Sequence, residues 1–356
     1  MSESEVSSTN AGGMMNIRQR IATALRGEQP DRVPFTAYEW MWGDEEKADV
    51  LIERGLGPTR HVETCRRQVP ELQVEEEVWE ENGHNWSRRI MHTPAGELET
   101  ISMDGWTQEY FVKDPEDYEV VEWIARNTHL EENFAAFLRE QEAMADRGIV
   151  VVSAHRTPIQ EIMVELTGIE NFCYHLADEL EELARAHEAM LDRTLREIEI
   201  VARGPGEFVK LWENFTDEPF GPDRFRKFHL PVYQKVASVL HEEGKILAAH
   251  TDGWLSRVKE IIPDTGIDVL ESLTPPSEGD VPPEEWNEIW PETVYWSNIP
   301  VSWYLEPVPV FADRLRVLLD RIGTQRGLLF EISEDLPRNW TESVPVVLEV
   351  LEEYSV

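Results

Sequence analysis

Short apolar runs alternate with amphipathic helical segments over most of the chain after about residue 130. The clearest runs are IVVV, FVKL, ILAA, IDVL and GLLF, and most precede a segment with helical spacing of apolar residues. Buried parallel strands separated by helices form either an open doubly wound sheet or a closed barrel. The open sheet normally carries a glycine-rich phosphate loop after an early strand, and none is present. The pattern therefore favours an α/β fold of the (β/α)8 TIM barrel type.

Two parts of the chain depart from this alternation. Residues 1–12 are rich in Ser, Glu, Asn and Gly, which predicts a disordered tail. A helix is predicted at 15–25, before a first strand in DRVPFTAYEWMW. Between residues 74 and 113, NG and PAG turns separate short runs rich in Val, Trp, Ile and Thr, which indicates antiparallel hairpins. We expect one domain over 13–356, a barrel with an N-terminal helical segment and a small hairpin insertion.

The composition excludes several classes of function. The chain has 70 acidic and 33 basic residues, for a net charge of -37, whereas nucleic acids and anionic membranes bind basic patches. Cys65 and Cys173 are far apart, which argues against a disulfide framework and a thiolate zinc cluster. The N-terminus lacks the pattern of a signal peptide, and no run approaches the ~18 apolar residues of a membrane span. We expect a cytoplasmic protein without nucleic-acid or membrane partners.

Polar and aromatic residues follow the predicted strands at their carboxyl ends, where barrel enzymes place their reactive groups. Glu271 and Glu331 directly follow apolar runs, where a carboxylate is costly unless it is paired or bound to a cation. His250 and Asp252 end the strand KILAAHTDG. The other candidates at strand ends are Tyr38, Glu39, Trp40, Trp42, His155, Glu213, Asn214, Asp217, Trp296 and Asn298.

Each candidate also has a structural interpretation. A histidine at a strand end is often a hydrogen-bonded structural residue, and Asp252 before Gly253 can cap a helix predicted at 254–262. The chain has 13 Trp residues, and those at strand ends can fill the core. However, three carboxylates and an imidazole converging on one barrel mouth favour a functional site. Aromatic walls there would suit apolar, aromatic or quaternary-ammonium groups.

Three segments of the chain carry a resemblance to a known family: NIRQRIATALRGEQPDRVPF, EPFGPDRFRKFHLPVYQKVASVLHEEGKILAAHTDG and DVLESLTPPSEGDV. They resemble the uroporphyrinogen decarboxylase superfamily, and the likeness covers nearly the whole chain after the tail. Members of this superfamily are (β/α)8 barrels, as the alternation also predicts. They include the decarboxylase itself and methyltransferases that serve cobalamin or corrinoid proteins, many of them zinc-dependent. The resemblance is specific for the superfamily rather than for one reaction.

Two departures from the superfamily bear on the reaction. The decarboxylase carries an arginine-rich segment after its first strand, whereas this chain has the aromatic and acidic FTAYEWMWGDEEK. A strongly anionic tetrapyrrole would meet repulsion there. The zinc methyltransferases have a His-x-Cys motif at the place of HTD, and a second Cys at the end of the last strand. Here His250 matches the histidine, Asp252 replaces the first cysteine, and Glu331 or Ser333 falls near the second.

The resemblance implies a methyltransferase or demethylase that moves a methyl group from a small methylated substrate to a corrinoid cofactor on a partner protein. His250, Asp252 and Glu331 are the candidate metal ligands, with zinc as the candidate ion. Glu271, Glu213 and Asp217 are expected to supply acid, base or orienting groups. Tyr38, Trp40 and Trp42 are expected to form the pocket wall. A homodimer is also compatible with the family.

Two alternatives remain at this point. One is a metal-free lyase that decarboxylates a smaller carboxylic acid by general acid–base chemistry, without a cofactor. The other is a non-catalytic barrel that binds a small cation in its aromatic and acidic mouth. Turnover without a corrinoid would favour the lyase, and tight binding without product would favour the binding protein.

Overall fold

The computed structural model describes residues 14–42, 44–323 and 327–354. Its strands are β1 (Phe35–Tyr38), β2 (Leu56–Glu63), β3 (Cys65–Gln68), β4 (Gln73–Glu81), β5 (His84–Thr93), β6 (Gly96–Met103), β7 (Trp106–Glu109), β8 (His129–Glu132), β9 (Ile149–Ala154), β10 (Phe208–Leu211), β11 (Ile246–His250), β12 (Val269–Leu273), β13 (Val294–Asn298) and β14 (Leu328–Ile332). The predicted tail at 1–12 lies outside the described residues.

The helices run between these strands. They are α1 (Ile17–Leu25), α2 (Glu45–Glu53), α3 (Asp117–Arg126), α4 (Phe134–Met144), α5 (Pro158–Glu161), α6 (Ile169–Ala177), α7 (Glu181–Arg203), α8 (Gly221–Arg224), α9 (Leu230–Glu242), α10 (Pro283–Ile289), α11 (Val308–Ile322) and α12 (Trp340–Glu353). Wide π-helical turns continue α5 over Ile162–Thr167 and α8 over Phe225–His229. In the part of the chain that is described, no helix is both long and apolar enough to cross a membrane.

Eight parallel strands close into a barrel, in the order β1, β14, β13, β12, β11, β10, β9, β2. The predicted TIM-like α/β barrel is therefore confirmed. Every neighbouring pair is parallel; for example, His250 pairs with Glu271, and Asn298 pairs with Glu331. Because the strands are parallel, their carboxyl ends meet at one mouth of the barrel.

Side chains along each barrel strand alternate between the interior and the surrounding helices, as the period of two requires. On β9, Ile149 and Val151 belong to the interior cluster, whereas Val150 and Val152 pack in the outer core with the helices. On β10, Phe208 lies in the interior cluster and Val209 in the outer core. The same alternation directs Lys210, two residues after Phe208, into the barrel.

The predicted hairpin insertion is a four-stranded antiparallel sheet in the order β4, β5, β6, β7. Leu98 of this sheet is 2% exposed and packs in a cluster with Val120 and Val121 of α3. A second small sheet pairs β3 with β8 in antiparallel fashion. The insertion therefore rests on a helix at the side of the barrel and contributes no barrel strand.

The structure contains one barrel strand that was not predicted and lacks one helix that was. The second barrel strand, β2, was not predicted, because its sequence LGPTRHVE contains Gly and Pro and lacks an apolar run. A helix was predicted over 254–262, but this segment forms turns, and a short 3₁₀ helix follows at Ile262–Thr265. Asp280 binds the backbone amides of Leu255 and Ser256 there, which satisfies them without a helix.

Candidate functional site

Glu271 is the centre of a hydrogen-bond network inside the barrel mouth. Its Oε1 accepts hydrogen bonds from the Tyr38 hydroxyl and from Lys210 Nζ, each at 2.5 Å, and its Oε2 lies 2.7 Å from His250 Nδ1. Tyr38, Lys210 and Glu271 are at most 1% exposed. Their strands β1, β10 and β12 are not neighbours, so these contacts cross the barrel interior. We call Tyr38, Lys210, His250, Glu271 and Glu331 the mouth network.

The two carboxyl groups of the mouth network have opposite pKa shifts. Burial alone would raise the pKa of Glu271, but Lys210 and His250 outweigh it and hold this pKa well below its usual range. Burial, and then the negative charge of Glu271, raise the pKa of Glu331 well above its usual range. The geometry therefore favours an ionised Glu271 beside a protonated Glu331, a separation that permits different roles.

Lys210 is the cation that makes this arrangement possible. Its Nζ also donates to the Tyr38 hydroxyl at 2.5 Å and lies 3.7 Å from the centre of the Trp212 ring. Burial lowers the pKa of Lys210, whereas the charges of Glu271 and Glu331 raise it in part. Sequence reasoning missed this residue because it lies in the middle of the apolar run FVKL rather than at its end.

An irregularity in β12 brings the end of the last strand into the site. The register between β12 and β13 shifts between Glu271 and Leu273, and Ser272 has a φ of 61°. The Ser272 amide donates to Glu331 Oε1 at 2.9 Å, and its hydroxyl donates to Glu334 Oε1 at 3.0 Å. Bulges of this kind redirect side chains next to functional sites.

His250, Asp252 and Glu334 form a group that can hold a metal ion. One potential ligand atom of each residue lies within 4.8 Å of the other two. His250 Nε2 is 3.7 Å from Asp252 Oδ2 and 3.8 Å from Glu334 Oε1. Two ligands of one tetrahedral zinc ion are roughly 3.4 Å apart, given its usual bond lengths. Glu271 binds Nδ1 and so leaves Nε2 available, the second-sphere arrangement common for metal-binding histidines.

This group differs from the predicted ligand set in one residue. Glu331 was predicted with His250 and Asp252, but the structure places Glu334 in that position. Glu331 is fully buried on β14 and faces Ser272 and Glu271, whereas Glu334 follows the strand and is partly exposed. No local pattern marked Glu334, because it stands in the loop ISEDLP rather than directly after an apolar run.

An aromatic cluster adjoins the mouth network and shares Tyr38 with it. The cluster consists of the rings of Tyr38, Trp40, His61 and Trp212. Trp40 stacks on Tyr38 at 4.5 Å between ring centres, and Trp212 lies 4.8 Å from His61. Trp40 is 58% exposed, so it covers the cluster on the solvent side. Both His61 ring nitrogens are buried and make no hydrogen bond to a described residue. Sequence reasoning missed His61 because it lies on the unpredicted strand β2.

Glu213 lies away from the mouth network. It follows Leu211 of β10 and accepts hydrogen bonds from the Thr157 amide at 2.6 Å and the Tyr233 hydroxyl at 3.1 Å. Tyr233 belongs to α9, so this carboxyl faces the helices rather than the barrel interior. Burial raises the pKa of Glu213 to about 7. Its contacts join the loops after β9 and β10 to α9.

Three other predicted polar residues hold neighbouring segments. Asp217 accepts a hydrogen bond from the Arg257 amide at 2.7 Å and so ties the loop after β10 to the turns after β11. His155 Nδ1 lies 2.6 Å from Glu197 Oε1 on α7. Glu39 forms an ion pair with Arg60 of β2. None of these contacts includes a residue of the mouth network.

The remaining predicted residues are spread around the barrel. Trp42 packs on Trp340 at 5.5 Å between ring centres, away from the aromatic cluster. Trp296 is fully buried inside the barrel and donates to Thr36 Oγ1 at 2.9 Å. Asn298 is buried and contacts Thr274 Oγ1 at 3.4 Å, and Asn214 is half-buried in the loop after β10.

Comparisons with known proteins identify a similar fold. No family model matches the chain, and no curated protein sequence matches it. The solved structure of a methyltransferase from Methanosarcina mazei has a TM-score of 0.57 and 14% sequence identity, and the match covers 96% of this chain and 99% of that one. At this identity the likeness shows the fold alone.

A second solved structure, from work on the inhibition of the pneumococcal virulence factor StrH and on N-glycan recognition and hydrolysis, has a TM-score of 0.40. Its identity is 6%, with 91% of this chain and 83% of that chain covered. A similarity at this level carries no argument about this chain.

Proposed function

We propose that this chain is an enzyme of the uroporphyrinogen decarboxylase superfamily that removes a methyl group from a small methylated substrate and passes it to a corrinoid cofactor on a partner protein. The observation that carries the proposal is the group of His250, Asp252 and Glu334, with His250 oriented by Glu271. The fold shared with a methyltransferase and the resemblance of three sequence segments support it.

The donor set fits a divalent metal ion. One imidazole nitrogen and two carboxylates are ligands that zinc accepts at catalytic sites, where a further position stays open for substrate. The surroundings also favour a cation, since Glu271 adds a negative charge behind His250. A metal ion held there would act as a Lewis acid on the oxygen or nitrogen that the methyl group leaves.

The chemistry of the transfer defines what the protein must supply. The methyl carbon leaves without the electrons of its bond, the oxygen or nitrogen keeps that pair and takes up a proton, and the acceptor brings both electrons of the new bond. Glu331 is suited to hold a proton, because burial and Glu271 raise its pKa, and its Oε2 is not hydrogen-bonded to any described residue. Lys210 and Tyr38 fix Glu271, which in turn orients His250.

The first experiment measures the metal content of the purified protein by elemental mass spectrometry. We expect about one metal ion per chain in the wild type and none in His250→Ala. The matched control is His84→Ala, which removes a half-exposed histidine of the insertion that pairs with Asp104. This control should keep its metal. Metal retained in His250→Ala would contradict the proposed site.

The second experiment tests the reaction. The protein is mixed with reduced cobalamin and a panel of methylated ethers and amines, and alkylation of the cobalamin is followed by its visible spectrum. Transfer by the wild type that His250→Ala lacks would support the proposal. Turnover of a carboxylic acid without any corrinoid would support a lyase instead, and tight binding without product would support a non-catalytic binding protein.

A further inference from the structure

A cavity of about 290 Å³ opens beside the aromatic cluster at the mouth of the barrel. Its wall includes Glu63 at the end of β2, Ser153 near the end of β9, and Trp212 just after β10. His155, Arg156 and Glu165 complete its polar lining. The cavity therefore lies at the carboxyl ends of three consecutive barrel strands, where barrel enzymes bind their substrates.

Arg156 is the group in this cavity with unused hydrogen-bonding capacity. Its side chain is 20% exposed, and it makes no hydrogen bond to any other residue that the structure describes. Its Nε is 3.3 Å from Glu165 Oε1, but the geometry is not that of a hydrogen bond. By contrast, the neighbouring Arg67 and Arg193 each donate to buried carboxylates. The Arg156 guanidinium is thus held in the wall of the cavity by charge interactions with Glu165 and Glu213, without a hydrogen bond to a described residue.

Trp212 connects this cavity to the candidate metal group. Its Nε1 donates to Ser153 Oγ at 2.7 Å, which fixes the indole between β9 and β10. The centre of the same ring is 6.2 Å from that of His250. The Trp212 ring is therefore shared by the wall of this cavity and the surroundings of His250. A small substrate bound to Arg156 in this cavity would contact the ring that also borders His250.

We propose that Arg156 binds the carboxylate of the methylated substrate, so that the substrate is a small methylated carboxylic acid. This inference rests on the proposed function. A guanidinium has paired donors that match the two oxygens of a carboxylate, and such pairs are strong and directional. The Glu165 side chain is 54% exposed, so it can leave Arg156 for solvent when a substrate carboxylate takes its place.

The cavity has room for a small molecule. Its volume of about 290 Å³ corresponds to roughly ten water molecules at ~30 Å³ each. Glu63 and Glu165 add negative charge to the wall, so binding of an anion depends on Arg156. A neutral compound of the same size would gain only a weaker hydrogen bond from Arg156, and a cationic compound would be repelled by it.

Isothermal titration calorimetry with three probes of matched size tests this inference. The probes are methoxyacetate, methoxyacetamide and 2-methoxyethylammonium, which differ mainly in charge. We expect the wild type to bind methoxyacetate about tenfold or more tightly than the amide, as a charge-assisted pair implies. Arg156→Gln should lose this preference, Arg156→Lys should keep part of it, and Glu165→Gln should strengthen it.

Arg139→Gln is the control, since it removes the same charge from an exposed position on α4. It should keep the preference for methoxyacetate, and thermal melts should show that all variants are folded. Equal binding of the three probes, no binding of any probe, a preference for the cation, or a preference for methoxyacetate that survives in Arg156→Gln would each overturn the inference.

The binding experiment needs neither corrinoid nor turnover, so it separates this inference from the proposed function. A preference for methoxyacetate that depends on Arg156, without any methyl transfer, would refute the proposed function and leave an anion site. Methyl transfer from neutral donors, with no dependence on Arg156, would refute the anion site and leave the proposed function.

Discussion

The molecule contains two buried ionic networks that differ in the polar atoms found at their edges. The mouth network is inside the barrel. The second, which we call the outer network, consists of Arg67, His155, Glu161, Arg193 and Glu197 and links β3, the end of α5 and α7. Both hold charged groups at distances of 2.5–3.0 Å. Burying charge is costly in both places unless the charge is paired.

The difference lies in whether donors or acceptors come together at the edge of each network. In the outer network the carboxylates of Glu161 and Glu197 are each paired with an arginine. The hydrogen bond to His155 and the charge of Arg67 outweigh burial and lower the pKa of Glu197 to about 2. What remains there is donor capacity, on Arg67 and Arg193. At the mouth, the atoms that come together are acceptors: His250 Nε2 and one carboxylate oxygen each of Asp252 and Glu334 lie within 4.8 Å of one another. Converging acceptors indicate a cation site, whereas matched pairs indicate structural support.

The largest expected effect is that of His250→Ala on activity. This substitution removes the imidazole from the group of acceptors, so methyl transfer and bound metal should both be lost. The free energy of unfolding should change by only about 1–2 kcal/mol, because Glu271 keeps its contacts with Lys210 and Tyr38. Activity, metal content and a denaturant melt check the three statements. A variant that unfolds at room temperature would instead make His250 a structural residue.

Arg67→Met should have the opposite profile. It leaves Glu161 and Glu197 without one of their cations, and removing one partner of a buried pair costs about 3–5 kcal/mol. Metal content should stay at the wild-type level. The control is Arg196→Met on α7, which breaks an exposed pair with Asp192 and should change the unfolding free energy little. Loss of metal without loss of stability in Arg67→Met would contradict the division between the networks.

The sequence predicts some residues of the barrel mouth and misses others. Tyr38, His250 and Glu271 were found because alternating side chains and parallel strands bring strand ends to one mouth. Lys210 was missed because a cation within an apolar run has no signature until its partner across the barrel is known. Glu334 was missed because a loop residue is positioned by tertiary contacts, here with Ser272.

The same reasoning explains why some predicted site residues lie elsewhere. Glu213 follows a strand end, but it stands an odd number of positions from Lys210 and so faces α9. His155 follows β9 and pairs with Glu197 of the outer network. The sequence shows that a residue follows a strand, but it does not show the position at which the alternation stops. Side-chain direction beyond that point depends on loop geometry.

Two glutamates that lie three residues apart sharpen the assignment of the metal ligands. Glu334→Gln should weaken metal binding by at least about tenfold, because it removes one charged ligand atom. Glu331→Gln should leave metal affinity nearly unchanged, since this carboxyl faces Glu271 and the Ser272 amide and the amide replacement keeps an acceptor. Competition with a fluorescent zinc chelator measures both affinities. The reverse order of effects would restore Glu331 as the ligand.

His229 tests what a buried titratable group does when it belongs to neither network. Its ring is 1% exposed and lies among Phe220, Phe225 and Tyr233, and neither nitrogen has a hydrogen-bond partner among the described residues. Burial lowers the pKa of His229 from 6.5 to about 3. Below pH 6.5 the unfolded chain therefore binds a proton that the folded chain does not. The contribution of the uncharged His229 to the free energy of unfolding is therefore fully present above pH 6.5 and is lost as the pH decreases toward 3.

His229→Phe removes this dependence and keeps an aromatic ring in an aromatic environment. Its advantage in unfolding free energy over the wild type should increase by on the order of 1–2 kcal/mol between pH 7 and pH 5, since one pKa unit corresponds to ~1.4 kcal/mol. Urea melts at the two pH values measure it, with His129→Asn, an exposed histidine on β8, as the control. An advantage that does not change with pH would mean that a hydrogen-bonding partner keeps the pKa of His229 in the folded protein near its usual value. It would then resemble the paired groups of the outer network more than an isolated imidazole.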